Sequence, residues 1–114
     1  MNQKPKKCRF EKCETGYHKH AVMELASWVG GQIEQPFYID GKMVFVPDVT
    51  CENILYEVVY KHEINGHKLG MMQAWSYFNV TNLDVYEISA DYILKQKKIP
   101  DIIEALEHYE ININ

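Results

Sequence analysis

Long apolar runs are missing from this chain. No stretch approaches the roughly 20 residues needed to cross a bilayer, and the lysine-rich start is not followed by an apolar segment. Neither a transmembrane helix nor a signal peptide is therefore expected, and no membrane partner. Cysteine is scarce and odd in number: Cys8, Cys13 and Cys51 cannot all close into a disulfide framework. That argues for a reducing, intracellular (cytoplasmic) setting. Internal repeats and low-complexity tracts are absent too, which excludes solenoids and arrays. Positive charge is in short supply and unevenly placed. Residues 1–20 hold six Lys/Arg against two Glu (+4), and the remainder holds six against fourteen acids (−8), for a net charge of −4. An acidic body is a poor general surface for nucleic acid, so such a contact would lean on the basic N-terminal segment. What is present is ordinary for a single globular domain: 114 residues, 46% hydrophobic and 25% charged.

Residues 1–16, rich in Lys4, Lys6, Lys7, Arg9 and Lys12, show no period and read as a basic, solvated arm, with a single domain over 17–114. From Tyr17 the pattern turns helical, with Val22, Leu25, Ala26 and Val29 on one stripe. Gly30-Gly31 supplies the stop. Gln35–Ile39 is a strand candidate, Asp40-Gly41 a two-residue hairpin signal, and Met43–Val49 the returning strand. After a turn over Asp48–Glu52, Asn53–His62 reads as a third strand, apolar on both faces except at Glu57 and Lys61 and therefore central. Asn65-Gly66 breaks the chain. His67–Phe78 is a helix, Leu83–Ile88 a fourth strand, and Ala90–Lys97 a short helix or a continuation. Pro100 opens a closing helix with Ile102, Ile103, Leu106 and Tyr109 on its apolar stripe and Glu104, Glu107 and Glu110 on a solvated face. The expected class is α/β: helix-strand-strand-strand-helix-strand-helix, a mixed sheet flanked by helices, with a parallel crossover between the third and fourth strands.

Two acids sit inside runs of β-branched and aromatic residues: Asp48 in Phe45-Val46-Pro47-Asp48-Val49, and Glu57 in Tyr56-Glu57-Val58-Val59-Tyr60-Lys61. Strand alternation puts Leu55, Glu57, Val59 and Lys61 on one face and Ile54, Tyr56, Val58 and Tyr60 on the other. Asp48 is either a turn residue after Pro47 or a partner to Glu57. If the two converge, their oxygens suit a hard cation such as Mg2+, with Mn2+ the other option. A neighbouring lysine would stabilise a phosphate or a developing oxyanion.

Other residues weigh differently. Cys8-x4-Cys13-x4-His18-x-His20 offers ligand types that Zn2+ accepts, but the spacing departs from the common zinc pattern, and reduced cysteines with exposed histidines are the plainer reading. Cys51 reads as a small strand-end hydrophobe. His62 and His67 read as solvated loop residues. Met71, Met72, Trp75 and Phe78 should pack on the sheet, and Tyr56 and Tyr60 should be core.

The element order, with Pro47-Asp48 on the second strand and Glu57 on the third, resembles the core of the PD-(D/E)xK nuclease superfamily, which includes restriction endonucleases, Holliday-junction resolvases and RecB-type exonucleases. The similarity runs from about Tyr17 to Ile88. It implies that Asp48 and Glu57 bind magnesium with help from an acid on the first helix, here Glu24, with Glu34 as another acidic position. A lysine two residues after the glutamate should assist attack by water, but Val59 stands there. Lys61, two residues further along the same face, and Lys68, at the start of the next helix, are the replacements the resemblance suggests. Gln73-Ala74-Trp75-Ser76-Tyr77 matches the Gln-x-x-x-Tyr element of RecB-like members, which implies that Gln73 and Tyr77 contact substrate. The expected function is Mg2+-dependent DNA cleavage, with a homodimer enlarging the DNA-facing surface. A catalytically inactive nuclease-fold module for nucleic-acid or protein binding is the alternative, favoured by Val59 and the acidic body.

Overall fold

The computed structural model describes the backbone of residues 5–60, 66–96 and 107–112, and the side chains of 16–60, 66–95 and 107–112. The first helix, α1, spans Pro5–Val29. Its described part opens at Pro5, well ahead of the expected arm boundary. Once packing fixes residues 17–29, propagation adds one hydrogen bond per residue, and the Lys, Arg and Glu upstream are good helix formers. The stop falls where expected. Gly30 takes φ 70°, and the Gly31 amide reaches back five residues to the Ala26 carbonyl at 3.0 Å. That bond closes a Schellman cap.

Short strands β1 (Gln32–Ile33), β2 (Phe37–Ile39) and β3 (Lys42–Phe45) follow. β2 and β3 pair as a separate antiparallel ribbon in which Ile39 faces Lys42. The connection is Asp40-Gly41 with both φ angles positive (53° and 80°), the type I′ geometry that fits strand twist. The single strand expected over 43–49 is therefore two. The chain leaves the ribbon at Val46-Pro47, where proline removes a ladder donor, and re-enters a sheet as β4 (Val49–Cys51). A tight turn at Glu52-Asn53 leads into β5 (Ile54–Val59), which pairs antiparallel with β4.

Helix α2 (Gly66–Phe78) carries the chain over to β6 (Leu83–Ser89), parallel to β5 and in register from Ile54–Asp84 to Val59–Ser89. Helix α3 (Ala90–Gln96) follows directly. The last described element is a strand, β7 (Glu107–Ile111), antiparallel to β6, and not the end of a helix. The alternation Tyr109-Glu110-Ile111 explains the difference: Tyr109 and Ile111 pack inward while Glu110 stays exposed. On an edge strand that period of two overrides the weaker helical spacing. The sheet order is β1-β4-β5-β6-β7, so β5 is central and the fold is mixed α/β. Among the described residues no helix is long and apolar enough to cross a membrane.

Strand alternation divides the core into two layers. Tyr56, Val58, Tyr86 and Ile88 pack with Ala21, Val22 and Leu25 of α1 and with Ala90 and Ile93 of α3. Leu55, Leu83, Val85 and Ile111 pack with Met72 of α2 and Phe45 of the ribbon, and Met71 and Trp75 lie against that cluster. Phe78 does not join it and is 60% exposed, because it falls beyond the buried side of the helix. Tyr17 donates a hydrogen bond to Asp91 and so ties α1 to α3.

Close approach of α1's exit to β4 demands glycine at 31. A Cβ there would lie 2.8 Å from both the Thr50 carbonyl oxygen and Val49 Cγ1. Gly31→Ala should destabilise the fold by about 1–3 kcal/mol through overpacking. Gly16→Ala, in mid-helix with open space around the added carbon, should be stabilising by up to about 1 kcal/mol. Urea unfolding midpoints at unchanged m-value would measure both.

Candidate functional site

Four side chains from four parts of the chain meet where β4 begins and β5 ends. Pro47 is fully buried and delivers Asp48 to a position one step before β4. The Asp48 Oδ2 accepts a hydrogen bond from the Val58 amide at 2.8 Å. In return the Asp48 amide donates to Glu57 Oε2 at 3.2 Å. Each carboxylate thus holds the other's strand, and Asp48 is a partner to Glu57 and not a turn residue.

Each carboxylate also receives a proton donor from a different helix. Lys68 Nζ, near the start of α2, donates to Glu57 Oε1 at 2.8 Å. On the α1 side, His18 Nε2 lies 2.9 Å from the Val58 carbonyl and 3.3 Å from Asp48 Oδ2. Both of those atoms are acceptors, so Nε2 carries the proton. Bonding to Asp48 raises the His18 pKa above its ordinary 6.5, against the opposing effect of partial burial.

Glu57 is 6% exposed. Burial, and then the negative charge of Asp48, push its pKa from 4.5 up to about 7, although Lys68 and the Asp48 amide both pull it down. Removal from water disfavours the ionised carboxylate by more than its partners restore.

Glu57 has an unanticipated neighbour. On the parallel ladder it lies in register with Glu87, and Glu87 with Glu107 across β7. Glu87 is 3% exposed and shares the sheet face of Glu57, as in-register residues do. The sequence carried a signal for it: Leu55-Tyr56-Glu57-Val58 and Val85-Tyr86-Glu87-Ile88 are the same pattern on adjacent strands. The two tyrosines stack on the opposite face, with ring centroids 5.9 Å apart.

Of the residues singled out by sequence, Asp48, Glu57 and Lys68 come together, and Lys61 lies outside the described residues. Val59 is half-buried and in register with Ser89. Glu24 is half-buried and, among the described residues, shares no hydrogen bond or ion pair with the cluster. Six residues beyond His18, it is turned well away from the Val22–Leu25 stripe that His18 continues. His18 takes the place expected for the helix acid, and its spacing of four and seven from Val22 and Leu25 was the available clue.

Glu34 is exposed and pairs with Lys19 at 3.5 Å. Gln73 and Tyr77 are both exposed; they sit on the far side of α2 from Lys68 and line a shallow cavity with Ser76, Glu110, Ile111 and Asn112. The structure does not bring them to the carboxylates. The side chains of Cys8 and Cys13 lie outside those described, His18 is engaged with Asp48 and Val58, and His20 is exposed. Among the described residues, the one trio of His, Cys, Asp or Glu donor atoms within 4.8 Å of one another is Asp84, His108 and Glu110, at the β6–β7 edge.

Compared with protein-family models, with curated proteins and with solved structures, the chain matches none.

The Glu57 carboxyl carbon should titrate near pH 7 by NMR. Lys68→Met should move that midpoint upward and Asp48→Asn downward, because the lysine favours the ionised form and the aspartate opposes it. A folded pKa raised above the unfolded one means that Glu57 contributes stability fully below pH 4.5, and that this contribution is lost as pH rises through about 7. Chemical denaturation at pH 5 and pH 8 would expose the same sign.

Proposed function

We propose that this chain is a metal-dependent nuclease-like protein with a restriction-endonuclease-like core, hydrolysing phosphodiester bonds in DNA. The observation that carries the reading is the connected set Asp48–Glu57–Lys68: the Glu57 carboxylate accepts from the Asp48 amide, the Asp48 carboxylate accepts from the Val58 amide, and an ammonium lies 2.8 Å from Glu57. The superfamily's lysine position is taken by Val59, and Lys68 brings the same charge from the following helix. Hard oxygen donors fit magnesium or manganese, which is commonly held by one or two carboxylates and completed by water and substrate phosphates.

Such a cation would polarise the phosphoryl group and lower the pKa of bound water. The protein's own groups would do the rest. Asp48 and Glu57 would anchor the ion. Lys68 would donate toward developing negative charge on phosphate oxygens in a site already screened from solvent. The reading includes DNA as substrate and a homodimer that enlarges the contact surface of a small domain.

His18 supports a second reading, a catalytically inactive nuclease-fold module that binds nucleic acid or protein. It offers a proton donor to Asp48 where the superfamily offers a further acid, and so competes with a metal for that carboxylate.

Cleavage of labelled single-stranded, duplex and branched DNA in Mg2+ or Mn2+ decides between them. The first reading expects metal-dependent products that fall about 100- to 1,000-fold in Lys68→Met and vanish in Asp48→Ala. Retention of DNA in a gel shift without cleavage would favour the module. Equal activity in the parent and Asp48→Ala chains would mark a contaminant and sink the nuclease reading.

A further inference from the structure

We propose that Asp84, His108 and Glu110 form a binding site for a borderline transition-metal dication of the Zn2+ or Co2+ class, separate from the Asp48–Glu57 pair. Asp84 and Glu110 are directly opposed across the β6–β7 ladder, and His108 is opposed to Tyr86, two residues along the same face. Strand alternation puts all three donors on one side of the sheet at this edge, the side opposite Glu57 and Glu87. One donor atom from each lies within 4.8 Å of the other two, and His108 Nε2 is 3.1 Å from Asp84 Oδ1.

The histidine is also oriented. Its ring lies flat on Tyr86, with centroids 4.2 Å apart and planes 7° from parallel, and Tyr86 is buried in the core layer beneath. A surface imidazole free to rotate would spend little time aimed at the two acids; the stacked ring keeps its Nε2 there.

The donor set determines the metal. One imidazole nitrogen with two carboxylate oxygens suits zinc and its neighbours, at three protein ligands with a position left for water. It suits magnesium poorly, because magnesium prefers oxygen alone and is reluctant to lose its water. His108 and Asp84 are both partly exposed, so an ion has a path in.

The test is titration of the full chain with Zn2+ and with Co2+, read by calorimetry and by paramagnetic shifts. Expected is one equivalent of Co2+ that shifts the ring resonances of His108 and Tyr86, withstands millimolar Mg2+, and is unaffected by Asp48→Asn. Glu110→Gln, an exposed change that leaves the core alone, should weaken binding at least about 10-fold, and His108→Gln should abolish it. Absence of shifts at His108, their appearance at His18 or His20 instead, or loss of binding in Asp48→Asn with retention in His108→Gln would each overturn the proposal. Because the Asp48→Asn arm reports on the other pair, failure of the nuclease reading leaves this outcome independent.

Discussion

The candidate site depends on a carboxylate that burial would prefer to protonate. Glu57 sits on the central strand at 6% exposure, where an isolated ionised carboxylate would carry a penalty of several kcal/mol. Three features offset that cost: the Lys68 ammonium on one oxygen, the Asp48 amide on the other, and a carboxyl proton held up to about pH 7. Each constrains a different part of the fold. The lysine sets the start of α2 against the end of β5. The amide requires Pro47-Asp48 to break from the ribbon and enter beside β5. Without those two placements, neither the crossover helix nor the β4–β5 pairing would have a polar reason to lie where it does.

The two sheet faces divide the work. The face under α1 and α3 is apolar at Tyr56, Val58, Tyr86 and Ile88 and holds the domain together. The face under α2 is apolar toward one end, at Leu55, Leu83 and Val85, and acidic toward the other, at Glu57 and Glu87 in register. A parallel pair with the same Tyr-Glu pattern on both strands needs one register to satisfy both faces. A slip by one residue in either strand would turn its carboxylate under α1 and its tyrosine onto the α2 face. The acids therefore help specify the alignment of β5 and β6 as well as any chemistry at their ends.

Much of this was legible from single positions with a strong local mechanism. Gly30-Gly31 ended the helix, Asp40-Gly41 turned the ribbon, and the alternation Leu55–Tyr60 sorted the two faces of the central strand as the structure has them. Alternation left Asp48 open between a turn and a partner to Glu57, and the β4–β5 pairing decided for the partner. What escaped was decided by context. Residues 5–15 lack an amphipathic stripe, and their helix is propagated from the packed segment downstream, a cooperative effect that no local window contains. Residues 107–111 satisfy both a helical and an alternating pattern in part, and pairing with β6 selected the second. His18 was weighed only against nearby cysteines: its spacing from Val22 and Leu25 put it on the packed stripe, but its partner forty residues away could not be read from that. Glu87 was passed over although its strand repeats the pattern around Glu57.

The histidine bears most directly on how the site works. An acid reaching Asp48 from α1 would add a third negative group to the Asp48–Glu57 pair, and such a set is poorly tolerated until a dication arrives. With His18 in that place each acid already has a donor: an imidazole N–H for Asp48 and an ammonium for Glu57. A metal entering such a site gains less from neutralising charge than it would at three bare carboxylates, and must take Asp48 from a donor only 3.3 Å away. Affinity would then rest more on what the substrate brings, since phosphate oxygens supply both the missing ligands and the missing negative charge. On the proposed nuclease reading, metal and nucleic acid would bind together or hardly at all. A site of the same shape with an acid on α1 would load its metal first.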